Sequence, residues 1–317
     1  MATFSTNTPI SNAASANMQA WINELYTAFV TTLGLTQTGD TGQMAVPCVS
    51  ALPGATNTAA GYYVFAFNDT LQASAPIYIK MECGTGTSTA VPGIFMTVGT
   101  GTNGAGTITG TVHPRSKWSC DGALVSTTNN YVSRFCYNTT QGVLWCAFKQ
   151  GVNNNLVGLS TAFFGFCIYR SIDNTGAPTA NATNILMPSN TTNGSNGGYF
   201  AAIDYPQAAL ITPANQQNWG YIPLSVTSTQ VGTTAQVFPV FQYNGTATLP
   251  GWGLTNVCAL TILGEISLGS TATITMVGAL SATYIQVTMF LAPINSNTFT
   301  SPGTYSGATY GCILLWQ

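Results

Sequence analysis

The sequence predicts a mainly β protein: an N-terminal helix with an antiparallel β-meander, followed by a β-sandwich. Three observations predict it. Convincing helical periodicity occurs once, near the N-terminus. Short runs of aromatic and β-branched residues follow, each cut off by Gly, Asn, Asp or Pro. Almost no helix signal returns after Leu33. A chain of 317 residues has room for two domains, and the predicted division is 1–112 for helix and meander and 113–317 for the sandwich. Jelly-roll and other Greek-key arrangements both satisfy the pattern.

Residues 2–14 are small and polar and read as an extended arm. Ser15 or Asn12 can cap the helix that follows. Its apolar stripe is Met18, Trp21, Ile22, Leu25, Tyr26, Phe29, Val30 and Leu33, at spacings of three and four, and Gly34 suits the C′ position. Two readings of this stripe stay open: it packs on the face of the chain's own meander, or part of it packs against another subunit. In the second case Trp21, Leu25 and Phe29 are the candidate assembly interface.

Residues 35–60 are turn-rich, with a short strand expected at Gln43 to Val49. Tyr62 to Phe67 reads as a strand covered on both faces, ended by Asn68-Asp69. From Ile77 the pattern alternates: Ile77, Ile79, Met81 and Cys83 on one face, Tyr78, Lys80 and Glu82 on the other. Ile94 to Val98 and Thr107 to Val112 complete the meander, joined across Gly99 to Gly106, where four glycines occur in eight residues.

This meander carries a resemblance. The runs GYYVFAFNDTLQ (61–72), APIYIKME (75–82) and MTVGTGTNGAGT (96–107) are similar to a family of structural proteins of tailed bacteriophages, whose members resemble one another mainly over the part corresponding to residues 1–112. The resemblance implies virion or tail-associated status and no catalytic activity.

Beyond His113-Pro114, a predicted junction, strands are expected at Tyr131 to Tyr137 and Val143 to Lys149, joined as a hairpin, and at Ala162 to Arg170. Residues 173–198 are dense in Asn, Thr, Ser and Gly and read as a long surface loop. Further strands are expected at 199–203, 235–243, 257–268, 272–277, 284–292 and 310–316, with Gly269-Ser270 as a hairpin turn. So apolar a terminal run as CILLWQ is expected to be tied into a sheet.

Composition narrows the function. Only 14 side chains are charged (Lys+Arg 6, Asp+Glu 8), or 4% against a usual ~25%. Neutral hydroxyl- and amide-rich surfaces suit permanent packing against neighbours, where each unpaired charge would have to be desolvated. A formal charge of −2 and scattered basic residues give no grip on a phosphate backbone, so no nucleic-acid partner is expected. No apolar run of membrane-spanning length occurs, and the opening MATFSTNTPIS lacks the charged and apolar regions of a signal peptide, so assembly in a cytoplasm is expected. The eight cysteines form no C-x-x-C pair and are expected to be reduced core thiols.

A search for chemistry finds little. His113 is the only histidine, and it stands in a turn-like context before Pro114. No pair of carboxylates is suggested locally, and Asp69, Asp121 and Asp173 sit where backbone turn roles are the default. Gly99, Gly101 and Gly104 match G-x-G-x-x-G but open no helix. No catalytic residue, cofactor or metal site is expected. Trp118, Tyr199, Tyr205, Trp219, Tyr221 and Trp252 sit in loop-like contexts; Trp219, Tyr221 and Trp252 are the candidate ligand-stacking set for a host-surface glycan, with core corners or subunit anchors as the alternative.

The expectation is therefore a non-enzymatic structural part of a phage virion, in the tail or a tail appendage, with copies of itself and other virion proteins as partners. Capsid decoration, a head spike or a carbohydrate-binding adhesin are the alternatives.

Overall fold

The computed structural model describes residues 2–9, 15–86, 92–117, 130–151, 163–172, 177–187, 199–204, 209–211, 219–221, 237–243, 252–262, 271–274, 282–287, 304–305 and 308–315. Among them the protein is mainly strand, with one helical segment near the N-terminus and antiparallel sheets throughout. The chain divides into two compact units. One holds Ala2–Gly142 and Phe148–Asn154; the other holds Met1, Val143–Ala147 and Asn155–Gln317.

In the first unit, strand β1 (Ala2–Pro9) precedes helix α1 (Ser15–Tyr26), which passes into a π-helical segment, Thr27–Thr32. The Ser15 Oγ accepts from Leu52 N at 3.0 Å, and Asn12 lies outside the described residues. The far end behaves as glycine allows. Leu33 N donates to Ala28 O at 2.8 Å, and Gly34 turns the chain out at φ +80.

The meander follows as β2 (Thr36–Gln37), β3 (Ala59–Ala66), β4 (Tyr78–Thr85), β5 (Pro92–Thr102) and β6 (Ile108–Lys117), in that spatial order. Its register aligns Phe65 with Ile79 and Val98, and Tyr63 with Met81 and Met96. The alternation read from Ile77 onward holds. Ile77, Ile79, Met81 and Cys83 are fully buried, while Tyr78, Lys80 and Glu82 are half-buried. Tyr63, Val64 and Phe65 are all buried, so β3 is covered on both faces.

The strand expected at Gln43 to Val49 does not form. Residues 38–44 instead run beside β3 as an irregular segment, with Thr38 N on Val64 O (2.9 Å) and Met44 N on Tyr62 O (3.0 Å). The donor between them, Val64 N, is satisfied by the Gln43 side chain at 2.8 Å. A side-chain amide thus replaces one rung of a ladder.

Residue 112 lies inside β6, which runs on through His113-Pro114. Strand β7 (Asn130–Asn138) belongs to this unit and pairs antiparallel with β1 from Ala2↔Tyr137 to Pro9↔Asn130. The polar arm is therefore a strand, made so by a partner far along the chain. At the end of β7 the Asn138 carboxamide accepts from Thr140 N and Gln141 N, and Gly142 sits at φ +61, in the short connection expected between this strand and the next.

Strand β8 (Val143–Gly151) spans the division between the units. The second unit then has β9 (Phe163–Ile172), β10 (Pro178–Met187), β11 (Tyr199–Asp204) and β12 (Ala209–Ile211), each antiparallel to the next. Its other strands are β13 (Trp219–Tyr221), β14 (Val237–Tyr243), β15 (Trp252–Ile262), β16 (Thr271–Ile274), β17 (Ala282–Val287), β18 (Thr304–Tyr305) and β19 (Ala308–Leu315), ordered β13-β14-β15-β19-β17-β16 with β18 on β19.

Two expectations change here. Strand β10 occupies residues 178–187 of the predicted surface loop, because Ile185 and Leu186 pair with Ile168 and Cys167; residues 188–198 lie outside the described residues. Strands β15 and β16 are not neighbours, so they form no hairpin, and Gly269-Ser270 lies outside the described residues. The C-terminal run is tied in as expected, with β19 between β15 and β17.

Candidate functional site

The helix stripe has one destination in this fold. Trp21, Leu25 and Phe29, the candidate assembly residues, are 1%, 1% and 0% exposed. Phe29 meets Phe65 edge-on at 5.3 Å and Phe135 at 5.7 Å between ring centroids, and Tyr26 tilts over Tyr63 at 5.0 Å. Met18, Ile22 and Leu33 are buried with the candidate residues, while Tyr26 and Val30 are half-buried. Trp21, Leu25 and Phe29 offer no surface to a neighbour while the unit stays folded.

The polar side of the helix is tied down by a different segment. Gln19 Nε2 donates to Ser50 O (2.8 Å), the Asn23 carboxamide accepts from Cys48 N (2.6 Å), and Tyr26 Oη donates to Gln37 Oε1 (2.6 Å). Glu24 lies in this region, and burial raises its carboxyl pKa to about 7.

A second polar centre forms where residues 38–43 meet the β5–β6 turn. The buried Asp40 carboxylate accepts from Thr38 Oγ1 at 2.8 Å, from Gly106 N at 2.7 Å, and from Thr102 Oγ1. Thr41 N reaches Gly104 O at 2.9 Å, and Tyr62 Oη donates to Thr41 O at 2.5 Å. Burial alone would raise the Asp40 pKa, but the hydrogen bonds from Thr102, Thr38 and the Gly106 amide outweigh it and hold the carboxyl below its ordinary value. All of these partners come from the protein. The glycines of the G-x-G-x-x-G match lie in β5 and this turn, where Gly104 and Gly106 take φ +79 and +77. The match lies in a hairpin and opens no helix.

Charge on the outer face of the meander is likewise engaged. Arg115 Nε donates to Glu82 Oε2 at 2.8 Å while its guanidinium lies 3.7 Å from the Phe95 ring centre. Lys80 Nζ lies 4.5 Å over Tyr62. In the second unit Arg170 is buried, at 1% exposure.

For the aromatic set, strand register supplies the geometry. Trp219 stands opposite Gln242 and Tyr221 opposite Val240, whereas Trp252 stands opposite Tyr243. Since positions alternate between faces, 219 and 221 share one face of the sheet and 252 falls on the other. The three positions do not form a single platform. Trp118 and Tyr205 lie outside the described residues, as do Asp121, Asp173 and Glu265.

Cys48, Cys83, Cys136 and Cys146 are buried thiols, and burial pushes the Cys83 pKa well up. Among the described residues no cluster of His, Cys, Asp or Glu is arranged to hold a metal ion, and no helix is long and apolar enough to cross a membrane. No protein-family model matches the chain, and no characterised protein or solved structure is significantly similar to it.

Sequence reasoning missed the Asp40 centre and the role of Gln43. Both depend on residues brought together from distant positions, and neither carries a local signature.

Proposed function

We infer that this protein is a structural component of a tailed-phage virion, assembled in the host cytoplasm, which works by protein–protein association and not by catalysis. The tail or a tail appendage is its place, following the resemblance carried by residues 61–107. One observation carries the assembly reading. Very few charges are present, and those with described partners are spent inside the chain: Asp40 in its hydrogen-bonded centre, Glu82 on Arg115, Lys80 on Tyr62. Such a surface costs little to desolvate against a neighbour. Sedimentation velocity on the purified chain over a range of concentrations tests it. Concentration-dependent or stable multimers are expected, and a single monomeric species throughout overturns the reading.

A host-glycan role for the second unit is the second reading, supported by Trp219 and Tyr221 sharing one sheet face two residues apart. Trp219→Ala should abolish saturable binding on a glycan array if that reading is right, while Trp252→Ala should leave it in place.

A further inference from the structure

We propose that β1 is an exchangeable strand, lent by one copy of the chain to the β7 edge of another. The proposal rests on the assembly reading above and deepens it by naming the partner, a second copy.

Its basis is how β1 is attached. Among the described residues the strand stands at the end of its sheet and pairs with β7 alone, through an unbroken register from Ala2↔Tyr137 to Pro9↔Asn130. Its sequence, ATFSTNTP, holds one large apolar residue, Phe4, and its main chain pairs along its full length. Main-chain pairing is the same whichever chain supplies the strand. The acceptor, by contrast, needs covering. Phe135, Cys136 and Tyr137 of β7 are fully buried, and an unpaired edge there would leave polar backbone beside a dry core.

Beside its packing against β1, the helix is anchored to its unit by other segments. Helix α1 is fixed by Gln19 on Ser50, by Asn23 on Cys48, by Ser15 on Leu52, and by the Phe29 ring cluster. The strand is thus separable from the body that carries it. Residues 10–14 set its range, since five residues span at most about 18 Å. A neighbour presenting its β7 within that distance of Ser15 can take the strand with no loss of pairing, and reciprocal or head-to-tail exchange then links copies.

The register supplies its own test. Thr3 lies opposite Cys136, and directly opposed antiparallel positions are about 4.5–5.5 Å apart between Cα atoms, inside the ~4.4–6.8 Å that a disulfide accepts. The full chain with Thr3→Cys is oxidised with glutathione disulfide under assembling conditions and run on a non-reducing gel, beside Thr3→Cys/Cys136→Ser. Exchange predicts reducible bands at twice the chain mass and above, lost in the control. Ser5→Cys/Arg134→Cys, the next pair on the same face, repeats the measurement should the first variant fail to fold. A disulfide joining positions 3 and 136 only within single chains overturns the proposal, and so does its absence. Sedimentation of the same samples separates the two failures. Multimers with intrachain bonds sink strand exchange alone, whereas monomers sink both exchange and assembly.

Discussion

Replacing Phe29 with alanine tests whether the helix stripe belongs to its own fold or to a neighbour's. The ring is fully buried and sits between Phe65 of the meander and Phe135 of β7, so three segments distant in sequence lose a shared contact at once. Truncating a buried Phe to Ala costs about 3–5 kcal/mol, from lost transfer energy and the cavity left behind. Each aromatic pair accounts for roughly 0.5–1.5 kcal/mol of such a total. With two pairs broken and rigid strands on two sides limiting collapse, we expect a loss of about 4 kcal/mol. That is a large part of the ~5–15 kcal/mol typical of a folded domain. Guanidinium unfolding followed by Trp fluorescence should show a markedly lower midpoint at unchanged slope. Phe29→Leu should cost far less. A Phe29→Ala protein with the wild-type midpoint but dispersed multimers would refute the reasoning, because the ring would then be serving another subunit.

Asp40 and Glu24 should pull the pH dependence in opposite directions. The Asp40 pKa lies below its ordinary 3.8 in the folded state, so on acidification the unfolded chain binds the proton first; its contribution is present above that value and is lost as pH falls through the folded one. Asp40→Asn should flatten the acid limb of a urea-midpoint against pH plot and cost about 1–3 kcal/mol near neutrality. Glu24 is raised from 4.5 to about 7, so the folded state holds its proton longer, and stability should fall as pH rises between those values. Glu24→Gln should remove that slope from melting temperatures measured across the interval; an unchanged slope would show that another group titrates there. Gly106→Ala places a Cβ 2.2 Å from Tyr62 Cζ at φ +77, and thermal melts should show a loss of about 2 kcal/mol or more. Gly104→Ala, with open space at its Cβ, should lose less in the same assay.

The sequence was most readable where one segment carries its own pattern. Alternation from Ile77 to Cys83, the spacing of Met18 to Leu33 and the turn at Gly34 all reflect near neighbours, and the structure repeats them. Strands were hardest to read where the residues are small and polar. Ala2–Pro9 and Pro178–Met187 carry weak propensity and become strands because β7, β9 and β11 pair with them. The candidate sites divide the same way. Aromatic character at 219, 221 and 252 was visible, but the face each occupies follows from cross-strand register, which no single segment records.

What the chain's order of residues determined alone is the β-rich class, the single N-terminal helix, the positive-φ turn at Gly34 and the scarcity of charge. These follow from backbone sterics and from polarity, both local properties. Tertiary structure alone decided that the helix stripe is core, that Gln43 stands in for a missing rung beside β3, that Asp40 joins residues 38–41 to the Thr102–Gly106 turn, and that β1 finds β7. Each of these satisfies a buried group with a partner far away in the chain, and only the folded arrangement selects which partner that is.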